Sequence, residues 1–164
     1  MATSPEYFKA YIELVPEGDL MALLDRQLAG IHTFFLNWPA DRWEHRYADG
    51  KWSVKEVLGH MVDTERIFGY RALRIGRKDA TDLPGYSENE FVAAADFGAR
   101  TGMDLLEEFD LVRRANIVLL RSLLGEPMTR LGTANGLLTS VGAIGWILVG
   151  HAEHHTRVLG ERYR

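Results

Sequence analysis

Apolar residues recur every three or four positions along most of this chain, and strict apolar–polar alternation is nearly absent. A spacing of three and four stacks side chains on one face of an α-helix, whereas a strand needs a period of two. The sequence therefore predicts an all-α protein. Leu20, Leu23, Leu24, Leu28, Ile31, Phe34 and Phe35 form one such stripe, opened by Asp19 as N-cap and stopped by Pro39, so a helix is expected to about Trp38. Val54, Val57, Leu58, Met61, Phe68, Ala72 and Ile75 form the next, which ends near Gly76. Ser53 and Glu56 have the spacing of a capping box, in which each side chain satisfies the other residue's free backbone N–H.

Ser87 and Glu90 repeat that spacing, and a helical pattern runs from there to Leu124, with a break or kink expected at Gly98 and Gly102. Gly125 and Pro127 stop it. The last helix is expected from Thr139 or Ser140 almost to the end. Segments 40–52, 79–87 and 129–138 read as loops, and a short extra helix is expected over Pro5–Leu14, closed by Pro16 and Gly18. Long antiparallel helices joined by polar loops describe a four-helix bundle, here with a short helix added at its N-terminal side. No linker or internal repeat divides the 164 residues, so residues 1–164 are expected to form a single domain.

Composition narrows the function. The net charge of −4 gives no basic footprint, and the local cluster Arg71, Arg74, Arg77 and Lys78 reads as the solvated end of a helix, so no nucleic-acid partner is expected. The absence of cysteine excludes disulfides, thiolate-zinc sites and a catalytic thiol. The apolar run VGAIGWILVG, residues 141–150, falls far short of the ~20 residues that span a bilayer, so no membrane partner is expected. Glu6, Lys9, Glu13, Glu17 and Asp19 interrupt the first twenty residues, which are then no signal-peptide core. A cytoplasmic protein is expected.

The chemistry concentrates in HAEHH, residues 151–155, on the last helix. Val141, Ile144, Leu148, His151, His155 and Val158 follow steps of three and four, so His151 and His155 fall on an inward stripe one turn apart. Side chains at i and i+4 can converge on one metal ion. A second stripe, through Ile147, His151, His154 and Val158, would pair His151 with His154 instead. A third ligand must come from elsewhere. His45 lies in a polar loop, and His32 lies off the Leu28–Phe35 stripe. His60, between Val57 and Met61, lies at the edge of a buried stripe and is the best placed. Asp63, Glu65 and Glu153 are candidates to orient an imidazole or carry a proton. Trp38, Trp43, Tyr47, Trp52 and Tyr86, in or beside loops, are expected at a pocket rim, at a dimer surface or as plugs of the bundle ends.

WSVKEVLGHMVDTERIF (52–68) and GWILVGHAEHHTRVL (145–159) together resemble the DinB/YfiT-like family of four-helix-bundle metalloenzymes. Its pattern is a Trp-Ser/Thr helix start, a histidine about two turns on and an HxxxH on the terminal helix. The resemblance implies a divalent metal ion held by His60, His151 and His155, with His154 at the helix edge near the site mouth. Zn or Ni would be the first choices and Fe or Mn also accept imidazole. It further implies a small-molecule substrate, such as a low-molecular-weight thiol of the bacillithiol or mycothiol kind, in S-transfer or a related hydrolysis, and a homodimer. The alternative from another class is a non-catalytic, stress-associated metal-binding or interaction protein.

Overall fold

The computed structural model describes residues 6–163. Its helices are α1 (Glu6–Ile12), α2 (Leu20–Leu36), α3 (Val54–Gly76), α4 (Glu88–Ala94), α5 (Gly102–Ser122) and α6 (Val141–Arg162). Pro5, the expected start of the first helix, lies outside the described residues. The helix starts follow the sequence closely. Asp19 accepts from the Ala22 N–H at 2.9 Å. At Ser53 the full capping box forms: the hydroxyl accepts from the Glu56 N–H at 3.2 Å, and Glu56 Oε2 accepts from the Ser53 N–H at 2.6 Å. At Ser87 the serine half is present, accepting from the Glu90 N–H at 3.4 Å. Thr101 and Ser140 cap α5 and α6 in the same way.

One expectation is sharpened and one corrected. The break expected at Gly98 and Gly102 is complete and makes two helices: Asp96 takes a left-handed conformation at φ 46°, a 3₁₀ turn covers 97–99, and α5 starts only after Thr101. Phe97 packs so closely over Gly59 that a Cβ there would strike its ring, so the corner closes on α3 only over a glycine. The segment 129–138 is not a plain loop. Strands β1 (Leu131–Ala134) and β2 (Leu137–Ser140) pair antiparallel, with Leu131 opposite Ser140 and Ala134 opposite Leu137. Asn135 at φ 52° and Gly136 at φ 71° make the turn, the two positive values that a right-twisted two-residue hairpin requires.

Helices α2, α3, α5 and α6 form a four-helix bundle in which α2 and α3 sit on one diagonal and α5 and α6 on the other. Side-chain partners fix the directions. Helix α2 runs antiparallel to α5, since Asp25 pairs with Arg121 and His32 with Asp110. Helix α3 runs antiparallel to α6, with His60 against His151 and Trp52, just before α3, against Tyr163. Helices α3 and α5 are parallel, from Arg66–Glu108 to Gly76 against Leu123. Helices α2 and α6 are also parallel, from Leu20 on Gly145 to Phe34 beside Gly160. Parallel neighbours cannot be joined by a short loop. Residues 77–101 therefore return the length of α3 to start the parallel α5, while residues 37–53 cross the end of the bundle between the diagonal helices α2 and α3.

The core holds Phe35, Leu58, Leu105, Phe109, Leu120, Ile144 and Leu148. No helix among the described residues is long and apolar enough to cross a membrane. The basic cluster at the end of α3 is not uniformly solvated. Arg77 and Lys78 are exposed and Arg74 is half-buried, but Arg71 is 4% exposed. The buried face of α3 is wide enough to take Arg71 in.

Candidate metal centre

His60 lies two turns into α3, and His151 and His155 lie one turn apart in the second half of α6. The antiparallel packing of these helices brings the three rings together. His60 Nε2 is 2.9 Å from His151 Nε2, and His155 Nε2 is 3.1 Å from His151 Nε2. One ring nitrogen from each residue lies within 4.8 Å of the other two. His60 and His151 are buried and His155 is half-buried. His154 stays outside this group, edge-on to Tyr11 at 5.4 Å and to His155 at 5.0 Å. His32 pairs with Asp110 across the α2–α5 seam, and half-buried His45 lies edge-on to Tyr163.

Burial holds all three rings neutral. His60 is lowered from 6.5 to about 4, first by desolvation and then by the charge of His154. His151 and His155 are lowered well below the ordinary value by burial and by one another's neighbours in the cluster. As a hydrogen-bonded group the cluster is incomplete. Each Nε2 of a neutral imidazole has one hydrogen or one lone pair, so His151 Nε2 can serve only one of its two neighbours. As a donor set it is complete. Three nitrogens about 2.0–2.1 Å from one ion at tetrahedral angles stand about 3.3–3.4 Å apart; two of the separations here, 2.9 and 3.1 Å, are a little shorter, and all three lie within 4.8 Å.

The profile of the DinB superfamily matches residues 23–159. This chain belongs to the DinB superfamily. Among solved structures it is similar to YfiT from Bacillus subtilis, at 18% identity and a TM-score of 0.73, with 97% of this chain and 87% of that chain covered. That protein is described as a probable metal-dependent hydrolase with an unusual four-helix bundle topology. At this identity the likeness concerns the fold. A comparison with curated proteins gave no match.

In this DinB superfamily member a cavity of about 260 Å³ opens beside the triad, walled by Tyr47, Lys51, Trp52, His154, His155 and Tyr163. The Trp52 ring lies 4.9 Å from the His60 ring. Tyr163 donates its hydroxyl to the Trp52 carbonyl at 2.9 Å, and burial pushes that hydroxyl up to about 12. The aromatic residues divide between the expected roles. Tyr47 and Trp52 line the cavity, whereas Trp38 and Trp43 pack on Phe35 and close the end of the bundle.

The three carboxylates expected near the histidines are used elsewhere. Asp63 faces Glu108, Arg66 and Arg100, and burial raises it. Glu153 meets Gln27 at 3.4 Å. Glu65 is 2% exposed and accepts from Arg113 at 2.7 Å and from Asn116 at 2.8 Å. Arg113, 0% exposed, also donates to Gln27 Oε1 at 2.9 Å and to the Leu148 carbonyl at 3.3 Å. This internal network was missed from the sequence because Arg113-Arg114 and Glu107-Glu108 look like an ordinary solvated helix face. Asn116 at an otherwise apolar turn before Ile117 was the available signal.

Proposed function

We propose that His60, His151 and His155 hold a divalent metal ion and that the protein is a metal-dependent enzyme acting on a small molecule. The observation that carries this reading is the convergence of three neutral imidazole nitrogens, on two buried rings and one half-buried ring, beside an open cavity. Three protein ligands without a fourth is the composition of catalytic rather than structural sites. The description of YfiT as a probable metal-dependent hydrolase supports the same class.

When bound, the ion supplies Lewis acidity toward a water or a thiol. Imidazole ligation suits Zn or Ni and also accommodates Fe and Mn. The protein's own groups do the rest. Trp52 shields the triad from bulk water, and the cavity at His155 admits the substrate. His154, on the cavity wall, is lowered from its ordinary value by partial burial and by Arg157 and Arg162, so it is neutral near pH 7 and able to accept a proton. The reaction is a thiol S-transfer, with a bacillithiol-like thiol as one substrate, or the related hydrolysis. A homodimer belongs to this reading through the family resemblance alone, and a cytoplasmic location through the sequence reading.

The test is elemental analysis of wild type beside His60→Ala, His151→Ala and His155→Ala. Near-stoichiometric metal in wild type and little in the three variants is expected, and equal metal in all four would refute the site. The loaded protein is then assayed with thiol and electrophile pairs and with esters and amides. Turnover that disappears with the metal supports the enzyme; tight metal with no turnover in either assay would favour the non-catalytic binding protein.

A further inference from the structure

Arg71 lies on the His60 face of α3, three turns further along, and is 4% exposed. Its Nη2 donates to the Pro84 carbonyl at 2.9 Å, and the guanidinium sits 4.9 Å over the Phe68 ring. Among the described residues no carboxylate pairs with it. Burial lowers its pKa, and the Tyr86 hydroxyl partly offsets this. Arg113, fully buried, has Glu65. Burying a charge without a counter-ion is costly, and a guanidinium remains charged at any ordinary pH. One carbonyl and a ring leave most of the five N–H donors of Arg71 unused.

A cavity of about 50 Å³ adjoins this guanidinium, with Thr64, Tyr86, Glu88 and His151 in its wall and α1 closing it from outside. The Thr64 and Tyr86 hydroxyls are 3.0 Å apart. Whichever of them donates, a second hydroxyl hydrogen remains for another acceptor. His151 belongs to both this cavity and the triad, so a group held here would lie against the metal centre.

We propose that Arg71, Tyr86 and Thr64 form a carboxylate-binding subsite that holds the anionic end of the substrate against the histidine triad. The role as part of a substrate site rests on the metal-enzyme reading above; the anion site itself does not. A carboxylate matches the fork of a guanidinium and accepts from a hydroxyl at the same time. The small volume admits a planar carboxylate and little beyond it. Glu88 is the competing occupant. It lies in the same wall, half-buried, and makes no ion pair with Arg71. Its charge weakens the anion site without filling it.

The experiment titrates the full chain with acetate against chloride at constant ionic strength, following the thermal midpoint. It is run on wild type, Arg71→Met, Tyr86→Phe, Glu88→Gln and His60→Ala, with metal content measured in each. Wild type is expected to show a saturable stabilisation by acetate. Arg71→Met should weaken acetate binding by about tenfold to a hundredfold, Tyr86→Phe by a few-fold, and Glu88→Gln should strengthen it. Metal content should be unchanged in these three. His60→Ala, with the metal ligand removed, should bind acetate as wild type does. An acetate response equal in wild type, Arg71→Met and Tyr86→Phe would overturn the proposal, as would one that vanishes in His60→Ala and so reports on the metal. A response seen only in Glu88→Gln would make Glu88 the internal counter-ion and overturn it too. If no chain binds metal but acetate still depends on Arg71, the enzyme reading fails and the anion site stands.

Discussion

Two buried polar clusters lie within the bundle, and they are built on opposite rules. Around Arg113 unlike groups complete each other: a guanidinium meets a carboxylate, an amide oxygen and a backbone carbonyl, and Asn116 donates to both the side chain and the backbone carbonyl of Glu65. Only Arg113 Nε is left without a partner there. Around His151 like groups meet, and only one of its two contacts can be a hydrogen bond. The first cluster is an internal tie between α2, α3, α5 and α6. The second leaves ring nitrogens without a complement inside the cluster, which is what the proposed metal ion would supply. Burial alone does not mark a functional site; burial of convergent groups of one kind does.

Breaking each cluster should therefore have different consequences. The largest effect is expected for Glu65→Ala, which leaves the Arg113 charge buried and unpaired, at a loss of about 3–5 kcal/mol in denaturant unfolding with no direct loss of metal. Next comes metal itself. At a free ion concentration about 100-fold above its dissociation constant, wild type should gain about 2.7 kcal/mol over the chelated protein, while His151→Ala should gain almost nothing. A comparable gain in that variant would show the ion bound elsewhere.

The third contrast is with pH. His60 is held at about 4 in the fold against 6.5 unfolded, so between these values the unfolded chain binds the extra proton. The metal-free protein should then be most stable above pH 6.5 and lose stability as pH falls toward 4. Each such group contributes at most about 1.4 kcal/mol per pH unit. His60→Ala should show a shallower slope, whereas Gln27→Met should leave the slope unchanged. The smallest effect is that of Gln27→Met on stability, about 1–2 kcal/mol, since it removes one neutral partner of Arg113 and a hydrogen bond to the Val149 carbonyl but leaves Glu65 in place.

These two clusters were unequally legible in the sequence. His151 and His155 stand out because an imidazole at a position otherwise held by Ile144 and Leu148 breaks an apolar stripe. His60 was legible as the best placed of the remaining histidines, at the edge of the Val57–Met61 stripe, and the packing of α3 on α6 joins the three. Arg113 gave no such signal, because a charged residue among other charged residues reads as surface whichever way it points. Arg71 misled for the same reason, standing in a run of basic residues of which only the later ones are exposed. Helix starts were readable from Asp19, Ser53 and Ser140, whose capping chemistry is local. The hairpin at Asn135-Gly136 carried its own turn signature, overlooked beside four long helical patterns. Helix direction was not readable at all, since it depends on how residues 37–53 and 77–101 travel.

The diagonal seating of α2 and α3, and of α5 and α6, also bears on how the chain reaches this fold. No side of the bundle is a hairpin of two consecutive antiparallel helices, the unit that gives simple up-and-down bundles their local contacts. Each antiparallel seam joins segments roughly ninety residues apart, as Asp25 with Arg121 and His60 with His151 show. Loop closure must come before such contacts can stabilise anything. Folding should accordingly be slower than for an up-and-down bundle of equal length, and no two-helix fragment should hold structure alone. The histidine triad, drawn from one of those distant seams, can form only when the whole chain has closed.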